Sequence, residues 1–187
     1  SRFEEGAAPE QVDRVMPGFG FPRGPFAVGD LSGLDVGWRV RQARAKTRPP
    51  AGRYSPIADR ICERGRFGQK TNAGWYRYED GSRKPVPDPE IEALIIGVSD
   101  DLGIERRSVT DEEIQDRCVY ALINEGAKIL DEGLVQRASD IDIVWIHGYG
   151  FPVWRGGPMY HADRVGLDKV SARLAQLAEK HGPELAP

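Results

Sequence analysis

Apolar residues recur at helical spacing along most of this chain, and polar residues occupy the positions between them. The first such stretch follows Ala8-Pro9 and places Val12, Val15 and Met16 on one face, which predicts a short amphipathic helix. The same spacing returns in four later stretches: Ile57 and Ile61; Ile91, Leu94, Ile95 and Val98; Ile114, Cys118, Ala121, Leu122, Ile129 and Leu130; and Leu167, Val170, Leu174 and Leu177. The pattern therefore predicts an all-α fold.

Capping residues indicate where these helices begin. Thr110 followed by Glu113 is a capping box, and the pairs Asp88-Pro89 and Ser55-Pro56 each combine an N-cap residue with a proline at the first helical position. Residues 26–40 are predicted to form one helix. Its apolar residues available for burial are Phe26, Leu31, Leu34 and Trp38.

One stretch departs from the helical pattern. Residues 65–78 contain three glycines with basic and aromatic residues interleaved, and Asp80-Gly81 is a turn signal. Together they predict a glycine-rich loop that leads into a short β-hairpin or extended arm near 74–86. A nucleotide-binding loop is excluded, because the Gly-Gln-Lys-Thr sequence lacks the adjacent Gly-Lys pair and no helix follows.

Residues 18–35 recur in altered form at 148–168. With one three-residue insertion after Pro152, ten of eighteen aligned positions are identical. A repeat of this kind predicts two similar helix–loop–helix modules. We therefore expect two tandem helical domains, at residues 1–84 and 109–187. A linker and a helix at residues 85–108 are expected to join them.

Glycine and proline dominate the two repeated loops. We expect Gly18, Gly20, Gly148 and Gly150 to adopt backbone angles that other residues avoid. A Gly-Pro pair follows in each copy and predicts the start of the next helix, because proline suits the first helical position. These pairs are Gly24-Pro25 and Gly157-Pro158.

Composition places the chain among ordinary globular proteins. Of 187 residues, 40% are hydrophobic and 29% are charged, and the net charge is −3. This charge argues against nucleic acid or a membrane surface as a partner, and no apolar run is long enough to span a membrane. The segment from Arg39 to Arg53 has six basic residues and no acidic one. It could attract a polyanion or coenzyme phosphates, but a solvated helix face is the favoured interpretation.

Cys62 and Cys118 lack the spacing of a zinc site or a disulfide framework, which favours a reducing compartment. The chain shows no signal peptide and no peroxisomal C-terminal signal, so we predict a cytoplasmic protein of bacterial type. Residues 1–6 resemble the end of a helix closed by glycine. We therefore expect the chain to be a piece of a longer protein.

Candidate catalytic groups are few. Of three histidines, only His147 and His161 are plausible, and nothing near them has the spacing of metal ligands. No dinucleotide-binding fingerprint, nucleophile elbow or Cys/His nucleophile pair is present. We therefore predict no catalytic, cofactor-binding or metal-binding residue in this chain.

Three groups of motifs bear on family membership. They are Phe21-Pro22-Arg23-Gly24-Pro25-Phe26-Ala27; Gly65-Arg66-Phe67-Gly68-Gln69-Lys70-Thr71 with Gly74-Trp75-Tyr76; and Gly148-Tyr149-Gly150-Phe151-Pro152 with Arg155-Gly156-Gly157-Pro158-Met159. Together they resemble the C-terminal helical region of 3-hydroxyacyl-CoA dehydrogenase, and the double copy resembles the multifunctional fatty-acid oxidation enzymes. The implied fold is two tandem helical domains of the 6-phosphogluconate dehydrogenase C-terminal type.

The resemblance implies a parent enzyme of β-oxidation that oxidises (3S)-3-hydroxyacyl-CoA with NAD and is fused to an enoyl-CoA hydratase. The reacting groups and NAD belong to an upstream Rossmann domain, so it implies neither activity nor bound cofactor for this chain alone. The first copy is implied to close the acyl-CoA cleft, and the second to act as an internal pseudo-dimer partner. The resemblance leaves open whether the parent enzyme forms a homodimer. The implied substrate-binding residues are Pro22, Gly24, Pro25 and Phe26.

Two other classes of function compete with this interpretation. The chain could be a stand-alone helical interaction module that kept the fold and lost the enzyme. A module for single-stranded nucleic acid is the third candidate, because residues 65–78 interleave aromatic and basic side chains. The acidic balance of the chain argues against it.

Overall fold

The computed structural model describes residues 3–45, 47, 54–79 and 81–181, and within these ranges every regular element is helical. The all-α prediction is therefore confirmed. No helix in the described ranges has the length and apolar content needed to cross a membrane. The helices are α1 (Pro9–Phe19), α2 (Pro25–Ser32), α3 (Leu34–Arg44), α4 (Ile57–Glu63), α5 (Pro89–Asp101), α6 (Asp111–Asp131), α7 (Ala138–Tyr149), α8 (Pro158–Val165) and α9 (Leu167–His181), with 3-10 turns at Phe3–Glu5, Gln69–Thr71 and Val153–Arg155.

The chain divides into two compact units. Unit 1 consists of Ser1–Val15 and Arg23–Thr110, and unit 2 consists of Met16–Pro22 and Asp111–Pro187. The end of α1 and the loop after it thus belong with the second half of the chain. The predicted limits 1–84, 85–108 and 109–187 describe the sequence copies and stay a prediction.

The core of unit 1 forms where the apolar faces of α4 and α5 meet the aromatic residues of the loop between them. Every apolar position that the helical spacing predicted in these two helices is buried. Phe26, Ala27, Leu34 and Ala58 pack against this core from its edge. The buried residues are Ile57, Ile61, Trp75, Tyr76, Tyr78, Ile91, Leu94, Ile95 and Val98.

An extended arm runs through the predicted segment near 74–86. Antiparallel bridges join Ala73 to Arg77 and Arg77 to Val86, and the Arg77 and Val86 backbones exchange hydrogen bonds of 2.9 and 3.0 Å. The predicted arm is therefore confirmed as isolated bridges. Asp80, the first residue of the predicted turn, lies outside the described residues.

The arm is fixed to α2 by one buried carboxylate. Asp30 is 1% exposed and accepts the backbone N–H groups of Trp75 at 2.9 Å and Tyr76 at 3.0 Å. The Tyr78 hydroxyl donates to the same carboxylate at 2.9 Å. Burial raises the pKa of the Asp30 carboxyl, while these donors and the nearby Arg66 oppose the rise. Three donors converge on Asp30, which matches a carboxylate that only accepts.

The start of α5 follows the sequence expectation. The Asp88 side chain accepts the Glu90 backbone N–H at 3.1 Å, as an N-cap residue does, and Pro89 is the first helical residue. The other carboxylate oxygen of Asp88 accepts a charged hydrogen bond from the Arg66 guanidinium at 2.7 Å. Because both side chains are almost fully buried, this pair ties the start of α5 to the glycine-rich loop.

Two helix predictions in unit 1 were wrong. The single helix expected over 26–40 breaks at Gly33, whose φ of 91° directs the Leu34 N–H to the Phe67 carbonyl at 3.1 Å. Leu31, expected to be buried, is 47% exposed. Ser55 does not cap α4, because the N-cap position is Pro56 and α4 begins at Ile57.

Unit 2 is built from the end of α1 and from α6 to α9 around a second core. Val170, Leu174 and Leu177 bury the predicted stripe of α9, but Leu167, predicted to join them, is 59% exposed. An ion pair of 2.7 Å between Arg173 and Asp116 links α9 to α6. The remaining buried apolar residues of α6 to α8 and of the loop after α7 are Ile114, Val119, Ile123, Ile141, Phe151 and Ala162.

We expect the substitution Asp30→Asn to destabilise the chain by about 1–3 kcal/mol, because one acceptor oxygen becomes an amide donor that faces the donors of the arm. Asp163 is the aligned residue of the second copy and is exposed, so Asp163→Asn should change stability by no more than about 0.5 kcal/mol. Urea unfolding of both variants measures the difference. Equal effects of the two substitutions would contradict the role given to Asp30.

Candidate functional site

The predicted substrate-binding residues Gly24, Pro25 and Phe26 form the turn that begins α2. Gly24 is the N-cap residue and Pro25 the first helical residue, as the Gly-Pro pair predicted. Gly24 has no side chain to accept the first free N–H groups of the helix. Asp13 of α1 accepts them instead, from Phe26 N–H at 2.9 Å and from Ala27 N–H at 2.8 Å.

Gly24 is required here because of a close approach and not because of its backbone angles. Its φ is −72°, which any residue adopts. A Cβ at this position would lie under 3.0 Å from the backbone and the carboxyl carbon of Asp13. The absence of a side chain therefore allows the Asp13 carboxylate to reach the N–H groups that follow.

The turn is also held from the side of the arm. The Phe26 ring lies 4.5 Å from the Trp75 ring, centroid to centroid, and the Tyr76 hydroxyl donates to Asp13 at 2.9 Å. Burial raises the pKa of the Asp13 carboxyl, and its hydrogen bonds to Phe26, Ala27 and Tyr76 oppose the rise. Burial and the neighbouring carboxylate raise the pKa of Tyr76, so its hydroxyl remains a donor.

The four predicted substrate-binding residues differ in solvent exposure, and they do not all belong to the same unit. In unit 1, Gly24 is buried, Phe26 is half-buried against the core and Pro25 is exposed. Pro22 is exposed and belongs to unit 2, where it approaches Gly150. The structure thus brings Gly24, Pro25 and Phe26 together in one turn. Their role in substrate binding stays a prediction.

The second copy starts α8 in the same way. Asp142 of α7 accepts the backbone N–H groups of Met159 at 2.7 Å and Tyr160 at 3.1 Å. A Cβ on Gly157 would lie under 3.0 Å from the Asp142 side chain. Burial raises the pKa of Asp142, and these N–H donors oppose the rise.

Sequence reasoning gave no role at the two helix starts to Asp13, Asp142 or Tyr76, although Tyr76 is part of a family motif. The two aspartates precede the aligned repeat, so the comparison of residues 18–35 with 148–168 did not include them. Extending that comparison upstream into α1 and α7 could have found an acidic residue before each loop.

Within unit 2, the loops of the two copies contact each other reciprocally. A Cβ on Gly20 would lie 2.8 Å from Cβ of Pro152, and one on Gly150 would lie 2.9 Å from Cγ of Pro22. The rings of Phe21 and Phe151 meet edge to face at 5.4 Å. Each loop therefore presents its glycine to the proline of the other.

The prediction of special backbone angles was right for two of the four loop glycines. Gly20 and Gly150 have φ values of 126° and 72°, which side chains other than glycine rarely adopt. Gly18 and Gly148 lie inside α1 and α7 and are not among the glycines with positive φ. The helices continue to Phe19 and Tyr149, further than the glycine pattern suggested.

The two histidines considered for catalysis differ in their surroundings. His161 is half-buried, with its ring 5.3 Å from that of Phe19, and burial together with Arg155 lowers its pKa. Arg155 itself donates to the Phe19 carbonyl at 2.9 Å. His147 is exposed on α7. No group of three or more His, Cys, Asp or Glu side chains that could hold a metal ion occurs in the described part of the chain.

Three basic residues of the run and both cysteines lie in the described part of the chain. Arg41 pairs with Asp59 at 2.6 Å, while Arg39 and Arg44 are exposed. Burial raises the pKa of Cys62 and raises that of Cys118 to about 11, so neither thiol is activated. The remaining basic residues of the run, Lys46, Arg48 and Arg53, lie outside the described residues.

A helical chain with two copies of one aspartate-capped loop defines the class of duplicated all-α domains. The sequence model of the 3-hydroxyacyl-CoA dehydrogenase C-terminal domain matches residues 1–78 and 114–187. The chain therefore belongs to this family. The two matched segments support the duplication.

Relatives place this domain within larger enzymes. The chain is 45% identical over 183 residues to the peroxisomal bifunctional enzyme of Danio rerio, covering 91% of this chain and 26% of the relative. It is 44% identical over 198 residues to the peroxisomal bifunctional enzyme of Homo sapiens, covering 98% and 27%. The chain thus spans about a quarter of the curated relatives it matches.

Solved structures share the fold. The dehydrogenase part of multifunctional enzyme 1 from C. elegans is 29% identical, with a TM-score of 0.73, and the match covers 98% of this chain and 42% of that one. The 3-hydroxybutyryl-CoA dehydrogenase of Escherichia coli, at 18% identity, also has a TM-score of 0.73, with coverage of 99% and 54%. The second similarity concerns the fold alone.

The prediction of a cytoplasmic protein of bacterial type was wrong. The relatives from Danio rerio and Homo sapiens, and another from Arabidopsis thaliana at 39% identity, are named as peroxisomal. A targeting signal is a short segment read by a receptor. Composition and cysteine use in a folded helical domain therefore do not distinguish these compartments.

We expect Gly24→Ala to destabilise the chain by about 1–3 kcal/mol, because the added methyl group would displace Asp13 from the start of α2. Gly18→Ala is the matched control: it lies in α1 with open space around it, and alanine should stabilise the helix there by up to about 1 kcal/mol. Thermal unfolding followed by circular dichroism measures both. A neutral Gly24→Ala variant would show that the turn tolerates a side chain.

Proposed function

We propose that this chain is the helical region of an NAD-dependent (3S)-3-hydroxyacyl-CoA dehydrogenase of β-oxidation. The observation that carries the proposal is the match of the dehydrogenase C-terminal domain to both copies of the repeat. The relatives are two to four times longer than the matched region, so the parent enzyme would contribute further domains. The family resemblance implies that one of them is an enoyl-CoA hydratase. In this proposal the chain alone does not catalyse the reaction.

The first copy would close the acyl-CoA cleft with the turn at Gly24, Pro25 and Phe26. Two features of the turn support this role. Pro25 is exposed while the next residue, Phe26, is held by Asp13 and by Trp75, so the turn offers a rigid surface. A rigid surface loses little conformational entropy when it meets a ligand.

The described residues do not form a binding site for NAD. A dinucleotide site needs a glycine-rich turn between a strand and a helix, and the structure has no strand in the ranges it describes. NAD, which accepts the hydride when bound, would therefore belong to an upstream nucleotide-binding domain. The part played by this chain is to position the substrate and to exclude water.

The second copy would act as an internal partner of the first, in place of a second subunit. The reciprocal contact of Gly20 with Pro152 and of Gly150 with Pro22 supports this idea, since paired contacts of equivalent residues are typical of two-fold interfaces. The domain limits 1–84 and 109–187, joined by 85–108, belong to the same proposal.

A chimaeric enzyme tests the proposed function. The region of the Danio rerio relative that matches this chain would be replaced by the chain, and NADH formation from a 3-hydroxyacyl-CoA would be followed by absorbance. We expect the chimaera to retain dehydrogenase activity within about a hundredfold of the unaltered relative, since the family relation preserves the domain contacts.

Two controls accompany the chimaera. The unaltered relative, assayed first, establishes the reference activity, and the relative without the region should be inactive. The isolated chain should not form NADH from the same substrate. A chimaera that folds by circular dichroism and lacks dehydrogenase activity would contradict the proposal.

A further inference from the structure

Asp13 joins three separate segments of unit 1. One carboxylate oxygen, Oδ1, accepts the Phe26 N–H at 2.9 Å. The other, Oδ2, accepts the Ala27 N–H at 2.8 Å and the Tyr76 hydroxyl at 2.9 Å. A single side chain on α1 therefore holds the start of α2 and the extended arm together.

We propose that Asp13 is a positioning residue for substrate binding, which acts through the turn at Gly24, Pro25 and Phe26. This inference rests on the proposed function, because it assigns the orientation of the substrate-lining turn to one residue that does not itself touch substrate. Asp13 lies on α1, outside the turn, and accepts the backbone N–H groups of Phe26 and Ala27.

The free N–H groups at the start of a helix point along the helix axis and carry partial positive charge. A carboxylate that accepts two of these N–H groups fixes the direction of the helix axis and the position of the residue that precedes the two groups. Gly24 makes this possible, because any side chain there would meet Asp13. Loss of the acceptor would leave the exposed Pro25 on a turn with two unsatisfied donors.

The arm completes the arrangement. Tyr76 donates its hydroxyl to Asp13 and its backbone N–H to Asp30 at 3.0 Å, so it spans the two carboxylates. The neighbouring Trp75 ring packs on Phe26. Phe26 is thus held through its N–H by Asp13 and through its ring by the arm.

The second copy provides a matched comparison. Asp142 accepts two backbone N–H groups at the start of α8, as Asp13 does at the start of α2. No tyrosine hydroxyl is bonded to Asp142 within the described ranges. Loss of Asp142 should therefore disturb a helix start of the same kind at a place that the proposed function does not assign to substrate.

The test uses the active chimaera with Asp13→Asn, Asp142→Asn or Tyr76→Phe. We expect Asp13→Asn to raise KM for the 3-hydroxyacyl-CoA about tenfold and to change kcat less than about twofold, because the turn contacts substrate in the ground state and the transition state alike. Asp142→Asn should leave both constants within about twofold. Tyr76→Phe removes the hydroxyl that donates to Asp13 but keeps the two backbone N–H groups that Asp13 accepts, so it should raise KM about threefold.

Amide hydrogen exchange gives the structural readout. In Asp13→Asn we expect faster exchange at Phe26 and Ala27, with no change at Trp75, whose N–H is held by Asp30. An unchanged KM in Asp13→Asn, or an equal rise in Asp142→Asn, would overturn the inference. If Asp13→Asn does not fold, Tyr76→Phe decides: a raised KM supports the inference and an unchanged KM overturns it. An inactive unsubstituted chimaera would instead contradict the proposed function.

Discussion

Carboxylates that accept backbone N–H groups from other segments are the interaction on which both units depend. Asp13, Asp30 and Asp142 each lie on a helix and accept backbone N–H groups that lie 13 to 46 positions further along the chain. Without them, the first N–H groups of α2 and α8 and those of the arm would lose their acceptors. A buried donor without an acceptor is costly, whereas a charged acceptor offsets much of its own desolvation through several hydrogen bonds. Apolar packing forms the two cores, and these carboxylates fix the loops that join the helices.

Local sequence patterns predicted the helices because their causes are local. The stripes of α5 and α9 follow from helical spacing, and Asp88 caps a helix that begins at the next residue. The break at Gly33 was not predictable in this way, since the Leu34 N–H finds its acceptor on Phe67, far along the chain. The same reason applies to the candidate site. Its turn was recognised from the Gly-Pro pair and the family resemblance, but the aspartate that holds it is distant in sequence.

Residues that are identical in the two copies do not always have the same role. Asp30 and Asp163 occupy the same position of the repeat, yet Asp30 is buried against the arm and Asp163 is exposed. Asp13 and Asp142 lie outside the aligned residues and have the same role. The repeat conserves the loop backbone, because close approach at each helix start requires glycine. The surroundings of each loop decide what its side chains contact.

The copies also differ on the exposed side of the helix that follows the loop. In α2, Val28 and Leu31 are 41% and 47% exposed, whereas the second copy has His161 and Arg164 at the aligned positions of α8. Exposed apolar residues lower solubility unless they serve an interaction, so a polar replacement in one copy indicates a division of roles. The proposed closing of the substrate cleft calls for a helix start that is held in place, and in the first copy both Asp13 and the arm hold it.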